Sequence, residues 1–228
     1  MAEQLTHLAE RRTSTDIVYD YLYQEIVTVR LLPGAKISEA EIAKNFGISR
    51  QPVRDAFARL GNDGLLLVQP QKATEVKKFS ERTIARARFV RAAIEVEVLR
   101  KAATNWDGSM LDEITENVAQ QETVVARDDA DGFHELDYEF HKLMCQAAKA
   151  ECVVDAISEN KMQVDRLCVL SLLNQDAMTA LLQDHRDILD QLQAGDADAV
   201  EATIRRHLSR LDKTIQTVRS AHGDYFAD

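Results

Sequence analysis

Apolar residues recur at three- and four-residue steps along most of the chain, and the breaks in that rhythm divide it. From Thr13 to Arg30, Ile17, Tyr21, Ile26 and Val29 keep helical spacing behind Ser, Thr and Asp capping candidates, and the run stops at Leu31-Leu32-Pro33-Gly34. Ser38-Glu39-Ala40-Glu41 has the S-x-x-E form of a capping box, in which hydroxyl and carboxylate each satisfy a free backbone N–H, and it predicts a short helix from Glu39 to Phe46. Gly47-Ile48 breaks that helix. Ser49 is placed to cap another from Arg50 to Asn62, with Pro52 in the first turn, where no N–H partner is lost. Gly64 ends it, and Leu65 to Val68 and Thr74 to Val76 read as short strands around a turn at Gln69-Pro70-Gln71-Lys72. Three helices and a hairpin make a winged helix.

Residues 80 to 220 carry no strand pattern. Periodic stretches at about 81–103, 108–127, 130–148, 151–172, 176–193 and 197–219 predict a helical bundle, with clear joints at Trp106-Asp107-Gly108-Ser109 and Ala194-Gly195-Asp196. The expected fold is mostly α, an N-terminal winged helix-turn-helix followed by an all-α bundle. Its expected parts are an arm over 1–12, a DNA-binding domain over 13–78, a ligand-binding and dimerisation domain over 79–222, and a tail over 223–228.

Composition agrees. Three Pro and eight Gly leave little turn chemistry for an all-β fold, and 45% hydrophobic with 29% charged residues excludes a disordered or collagenous chain. No apolar run approaches the ~18 residues that span a bilayer, and the first residues lack the apolar stretch of a secretory signal, so a cytoplasmic protein without membrane contact is expected. Cys145, Cys152 and Cys168 form no C-x-x-C pair and read as reduced, mostly buried thiols rather than a disulfide framework or a zinc finger. The net charge of −10 argues against nucleic acid until it is divided by segment: 13–78 holds nine basic and eight acidic side chains, 79–228 seventeen and twenty-eight. A near-neutral domain binds DNA when its cations gather on one face; the acidic remainder is repelled by phosphate.

On the third helix Val53, Phe57 and Leu60 share one face, while Arg50 and Arg54 share another with Gln51 beside them. That front suits a major groove, where Arg pairs with guanine and Gln with adenine, although a solvated amphipathic helix would look the same. In the bundle, Val200, Ile204, Leu211, Ile215 and Val218 form a continuous stripe only if His207 is included, and Leu181, Ile188 and Leu192 only if His185 is. Asp137 and His141 stand at i and i+4 on another helix. The four offer one oxygen and three nitrogens, a set suited to a divalent metal, with zinc the leading choice and nickel, manganese or iron the others. Against this stand two bland readings, core histidines that only hydrogen-bond and a surface Asp137–His141 ion pair.

LLPGAKISEAEIAKNFGISRQPVRDAFARLGNDGLLLVQP resembles the DNA-binding domain of GntR-type bacterial transcription regulators, and ARFVRAAIEVEVLRKAA, DYEFHKLM and DHRDILDQLQAGDADAVEATIRRHL resemble the FCD-type ligand domain of the FadR subfamily. The resemblance implies that Ser49, Arg50 and Arg54 contact operator DNA, with Gln51 close by and Lys72 on the wing. It places Asp137, His141, His185 and His207 at the four metal-ligand positions, and Arg91 in the wall of an effector cavity that takes a small organic or sugar acid. It also implies a homodimer acting as a repressor. Arg91 borders an apolar stripe, so it needs an anionic partner, either Glu95 at i+4 or a ligand carboxylate. Arg88 is expected to face solvent. The chain departs from the pattern at Ala40, where members carry a further DNA-contacting Arg, at Ala73, where the wing tip has Gly, and from Lys149 to Cys152, where a Gly-Asn pair is missing.

Two alternatives share these residues. A metal-dependent hydrolase would use the Asp/His set to activate water, but it needs a general base and there is no H-E-x-x-H; Glu139 and Asp184 are expected to point away from the ligand face. A purely structural metal would leave DNA binding indifferent to small molecules.

Overall fold

The computed structural model describes residues 12–69, 72–171 and 175–227, apart from the side chains of Asp165, Cys168 and Ser171. Two compact units divide the chain, residues 1–78 and 79–228.

In the first unit, α1 (Ser14–Val27), α2 (Glu39–Phe46) and α3 (Arg50–Asn62) are joined to a three-stranded antiparallel sheet of β1 (Lys36–Ile37), β2 (Leu66–Leu67) and β3 (Thr74–Val76), in the order β1-β3-β2. α1 begins in a complete capping box: the Thr13 hydroxyl accepts from Asp16 N while the Asp16 carboxylate accepts from Thr13 N. The box expected at Ser38 does not form. Ser38 is the N-cap residue, but its side chain makes no cap hydrogen bond, and the Ser49 hydroxyl is likewise unused as a cap for α3. Gly47, at φ 65°, lets the chain turn from α2 into α3 in the left-handed conformation that a side chain disfavours. β1 was not legible as a strand, because two residues are too few to show alternation; it is held by pairing Lys36 with Glu75 and Ile37 with Thr74.

α1 packs on α3 through Val18, Leu22 and Ile26 against Val53, Phe57 and Leu60, all essentially without solvent contact. A polar clasp locks the outer edge of this pair. Tyr19 donates to Asp63 at 2.7 Å, and Arg59 stacks on the Tyr19 ring while pairing with Asp16 at 2.8 Å. Arg59 is thereby committed to α1, and the exposed basic residues near the start of α3 are Arg50 and Arg54. Of the expected wing turn, Pro70 and Gln71 lie outside the described residues, as does the N-terminal arm up to residue 11.

The second unit is α4 (Glu81–Thr104), α5 (Leu111–Ala126), α6 (Ala130–Ala147), α7 (Val154–Ser171), α8 (Gln175–Gln193) and α9 (Ala197–Ala221), with 3-10 turns at Glu151–Val153 and Gly223–Tyr225. Ser80, Asp129 and Asp196 cap α4, α6 and α9 by accepting from backbone N–H groups three residues on. One apolar core joins α4, α5, α6, α8 and α9 around Leu99, Ile114, Phe133, Phe140, Ile188 and Ile204. A second, smaller cluster of Phe79, Ile84, Val164, Leu167 and Val218 closes the far ends of α4, α7 and α9. Cys145 is buried, with its thiol pushed up to about 11 by desolvation, but Cys152 is exposed, contrary to the expectation of mostly buried thiols, because it falls in the surface 3-10 turn. The side chain of Cys168 lies outside the described set.

The missing Gly-Asn pair has a structural consequence. Lys149 follows α6 at φ 50°, the left-handed conformation that Gly adopts freely and an L side chain only at a cost. Lys149→Gly is therefore expected to raise stability by roughly 1 kcal/mol despite loss of the exposed Lys149–Asp107 pair, measurable as a higher urea midpoint at unchanged slope. A lowered midpoint would mean that the pair outweighs the backbone cost.

Candidate metal centre and nucleic-acid interface

In the first unit, α3 turns an apolar back inward and leaves Ser49, Arg50, Gln51 and Arg54 exposed on one front. Arg54 reaches back to Glu39 at 3.4 Å, a weak exposed contact, and Gln51 donates to Asp55 at 2.9 Å. Both contacts are solvent-facing. Lys72, exposed just before β3, stands apart from this front on the hairpin. The helix thus presents the cations the sequence points to, and Ala40 adds no further charge.

In the second unit, α6 supplies Asp137 and His141, α8 supplies His185, and α9 supplies His207. Their ligand atoms all lie within 4.8 Å of one another, and the three histidines are buried. Asp137 and His141 therefore do not form a surface ion pair. Each group is oriented by a partner behind it. His185 Nδ1 donates to Gln121 Oε1 at 2.7 Å; the Gln121 amide donates to Asn117 Oδ1 at 2.7 Å, and Asn117 donates to the Leu136 carbonyl at 3.1 Å. This chain sets the amide orientations and the histidine tautomer, leaving the unprotonated Nε2 facing Asp137 Oδ1 at 3.5 Å. Phe140 stacks on the same imidazole at 4.0 Å between centroids.

His141 Nδ1 approaches Glu95 Oε2 at 2.7 Å, off the line of a straight hydrogen bond, and its Nε2 lies 3.8 Å from Asp137 Oδ1. The other Glu95 oxygen accepts from Arg91 Nε at 2.6 Å, so one buried carboxylate ties the arginine to an imidazole of the cluster. His207 is backed by Asp184, at 3.7 Å, which is too long for a hydrogen bond.

Asp184 corrects the expectation that it points away. It is fully buried and is gripped by Arg206 at 2.9 Å and Arg210 at 2.5 Å. Glu139 does face outward, paired with Lys142. Arg88 is not simply solvent-facing either, since it pairs with Asp212 at the rim of the cavity described below.

Lys161, not singled out from the sequence, is the strongest addition. It is only 2% exposed and its Nζ donates to Asp137 Oδ2 at 2.9 Å. The two oxygens of Asp137 are thus divided, Oδ1 toward the imidazoles and Oδ2 toward the ammonium. The signal was available, for Lys161 sits between Ile157 and Val164 at an apolar step of its helix, as do Glu95 and Gln121 on theirs.

Burial penalises the charged form of every group here, and the neighbours decide the outcome. Desolvation raises Asp137 and Glu95, but Lys161 with the three imidazoles overrides it for Asp137, and Arg91 with His141 for Glu95, so both carboxyls stay well below the usual range. His185 and His207 are held below the ordinary histidine value, first by burial and then by the other cations around them. Neutral imidazoles and an ionised carboxylate are the protonation states a metal needs. Within this buried cluster His185 Nε2 and His207 Nδ1 have no hydrogen-bond partner among the described residues, although each stands near a carboxylate.

Against the cluster lies a cavity of about 710 Å³. Arg91, Lys161, Asp137 and His207 line one end of it.

A winged helix with an exposed basic recognition helix, followed by a helical domain with a buried polar centre, defines a class: a DNA-binding regulator with a separate ligand domain. Comparison with known proteins identifies the family. Residues 14–76 match the pattern of bacterial regulatory proteins of the gntR family, and residues 87–210 match the FCD domain. The chain is 35% identical over 211 residues to the HTH-type transcriptional repressor RspR of Escherichia coli strain K12, covering 92% of each. It is 29% identical to a probable D-xylose utilization operon transcriptional repressor of Paenarthrobacter nicotinovorans, covering 87% of each. Among solved structures, E. coli McbR/YncC shares the fold at a TM-score of 0.74 and 18% identity, over 90% of this chain and 98% of that one. The chain belongs to the GntR family and carries an FCD domain; it is a transcriptional regulator, and the hydrolase reading falls with that finding. No helix among the described residues is long and apolar enough to cross a membrane.

The imidazoles give a pH dependence with a definite sign. An unfolded chain takes up protons at His185 and His207 near the ordinary value of 6.5, and the native metal-free protein does not. Stability is then full above that value and declines as pH falls through it, because the unfolded state binds more protons. The melting temperature of metal-stripped protein is expected to fall between about pH 7.5 and 5.5. An unchanged midpoint would show that these histidines are not held neutral.

Proposed function

We propose that this regulator binds an operator as a homodimer through Ser49, Arg50, Gln51 and Arg54 of α3, with Lys72 on the wing, and that a small organic acid held at a metal in the helical domain controls that binding. The observation that carries the reading is the convergence of Asp137, His141, His185 and His207 beside a cavity whose lining includes Arg88, Arg91, Lys161, Arg210 and Lys213 against only Asp137 and Asp176. Five cations around one cavity, in a segment whose net charge is −11, focus a positive field where an anion would sit.

The residues fit a divalent ion, zinc first. Asp137 Oδ1 and His185 Nε2 are the atoms turned inward, with His141 and His207 completing the set, while Glu95, Gln121 and Asp184 orient the imidazoles from behind. When bound, the metal would supply a Lewis-acidic centre for carboxylate oxygens. Arg91, already engaged with Glu95, presents further donors of its fork toward the cavity. The ligand acts on DNA only by preferring one placement of the paired winged helices over another. Repression is the sense suggested by the relatives' names, and a DNA-binding role places the protein in the cytoplasm.

Arg54→Ala is expected to weaken operator binding about ten- to a hundredfold with the fold intact, since one specific arginine contact is worth ~1–3 kcal/mol. Gel-shift and salt titrations measure this, and unchanged affinity would remove α3 from the interface. His185→Ala is expected to lower bound metal well below one ion per chain by elemental analysis. Arg91→Lys, which keeps a cation beside Glu95 but loses the planar fork, is expected to retain the metal and weaken carboxylate binding about tenfold. Full metal content in the first variant, or unaltered acid binding in the second, would refute the corresponding role.

A further inference from the structure

We propose that the cavity takes a monocarboxylic acid with an apolar body, its carboxylate held between Arg91 and Lys161 and its chain laid along a wall formed by α7 and α9. This rests on the reading of the cavity as the effector site and narrows the ligand within it.

The lining residues are ordered along the helices. On α9 the cavity is bordered at His207, Leu211, Thr214 and Val218, one stripe at helical spacing, and on α7 at Lys161, Val164 and Leu170. Both helices place the polar members, His207 and Lys161, at one end and the apolar members, Val218 and Leu170, at the other. With a rise of ~1.5 Å per residue, His207 to Val218 spans about 16 Å, room for a body of roughly eight carbons beyond the carboxylate. The far wall is also a structured surface: Val164 and Val218 belong to the second apolar cluster, with Leu170 and Leu211 packed against it. A ligand chain lying there extends that core.

The same wall discriminates against sugar acids. Each hydroxyl of a polyhydroxy acid that leaves water needs a new hydrogen-bond partner, and leaving it without one costs more than a methylene gains. Along the stripe on α9 and the wall of α7 the uncharged hydrogen-bonding side chains are Thr214 and Thr217, two for the five hydroxyls of a six-carbon sugar acid. Arg88 and Arg210, also at the cavity, are paired with Asp212 and Asp184.

At the polar end the two cations differ in kind. Arg91 offers a planar fork, and Lys161 is a buried point charge beside the Asp137 oxygen that faces away from the imidazoles. A carboxylate entering there meets a cation on each side.

The test uses full-length protein loaded with zinc and titrated calorimetrically with acetate, hexanoate, octanoate and gluconate. Hexanoate and gluconate share six carbons and one negative charge and differ in hydroxylation. Hexanoate is expected to bind at least tenfold more tightly than gluconate, and affinity to rise about three- to fourfold per methylene from acetate to octanoate. Leu211→Asn is expected to flatten that chain-length dependence while leaving acetate binding and zinc content unchanged. Leu211 is only partly buried, and Leu181→Asn, on α8 across the same cavity, serves as a second variant should the first lower the melting temperature. Lys161→Gln is expected to weaken all the carboxylates together.

Gluconate binding as tightly as hexanoate, or affinity independent of chain length, would overturn the apolar-body proposal and leave the acid-effector reading standing. Equal binding of every acid to the Lys161→Gln protein would remove Lys161 from the head-group site. Failure of zinc-loaded protein to bind any of the four would overturn both readings.

Discussion

The helical domain is organised around one costly act, burying the carboxylate of Asp137 among three imidazoles. An ionised carboxylate in an apolar interior is tolerated only when fully compensated, and here the compensation recruits most of the bundle. α7 contributes Lys161 to one oxygen, while α6, α8 and α9 contribute imidazoles toward the other. Those imidazoles require their own supports: Glu95 from α4, Gln121 and Asn117 from α5, and Asp184 on α8 held by two arginines of α9. Every helix of the domain has a member in this network. A group that changed the charge balance at its centre would be felt by all six.

That arrangement explains why a binding site and a core can occupy the same place. The partners of Asp137, Glu95 and Asp184 are charged or hydrogen-bonded groups at fixed positions, so the centre is rigid. The adjoining cavity is bounded on its other side by plain packing of Val164, Leu211 and Val218. Glu95 has a particular position in this scheme, because it touches both Arg91 and His141. A ligand that draws on Arg91 therefore acts on the same carboxylate that orients an imidazole, and metal and ligand share a support without touching the same atom.

In the DNA-binding unit the equivalent constraint is the face of α3. Val53, Phe57 and Leu60 must pack on α1, which fixes the rotation of the helix and turns Arg50 and Arg54 outward. Arg59, one turn beyond Arg54, has the same charge but a different fate, because Tyr19 and Asp16 on α1 capture it. Sequence counted these arginines alike; packing separates them.

Helical periodicity, the glycines at breaks and the histidines interrupting apolar stripes were enough to read the order of elements, the helix starts at Glu39, Arg50 and Glu81, and the candidate set Asp137, His141, His185 and His207. These are local signals, carried by spacing along one helix at a time. The capping box at Ser38, the outward direction of Asp184 and the burial of Cys152 were read wrongly, because a motif states what a side chain is able to do and not which competing partner it meets. Lys161, Glu95 and Gln121 broke apolar stripes as the histidines did, yet one helix alone does not distinguish a snorkelling lysine from a buried counter-ion. The sequence by itself determined the two-part plan and the residues that carry chemistry, since period and residue type are properties of the chain. Only the tertiary structure decided which charges meet, since that depends on the relative rotation of helices brought together from distant parts of the chain, and a rotation of one residue, about 100°, moves a side chain from the core to water.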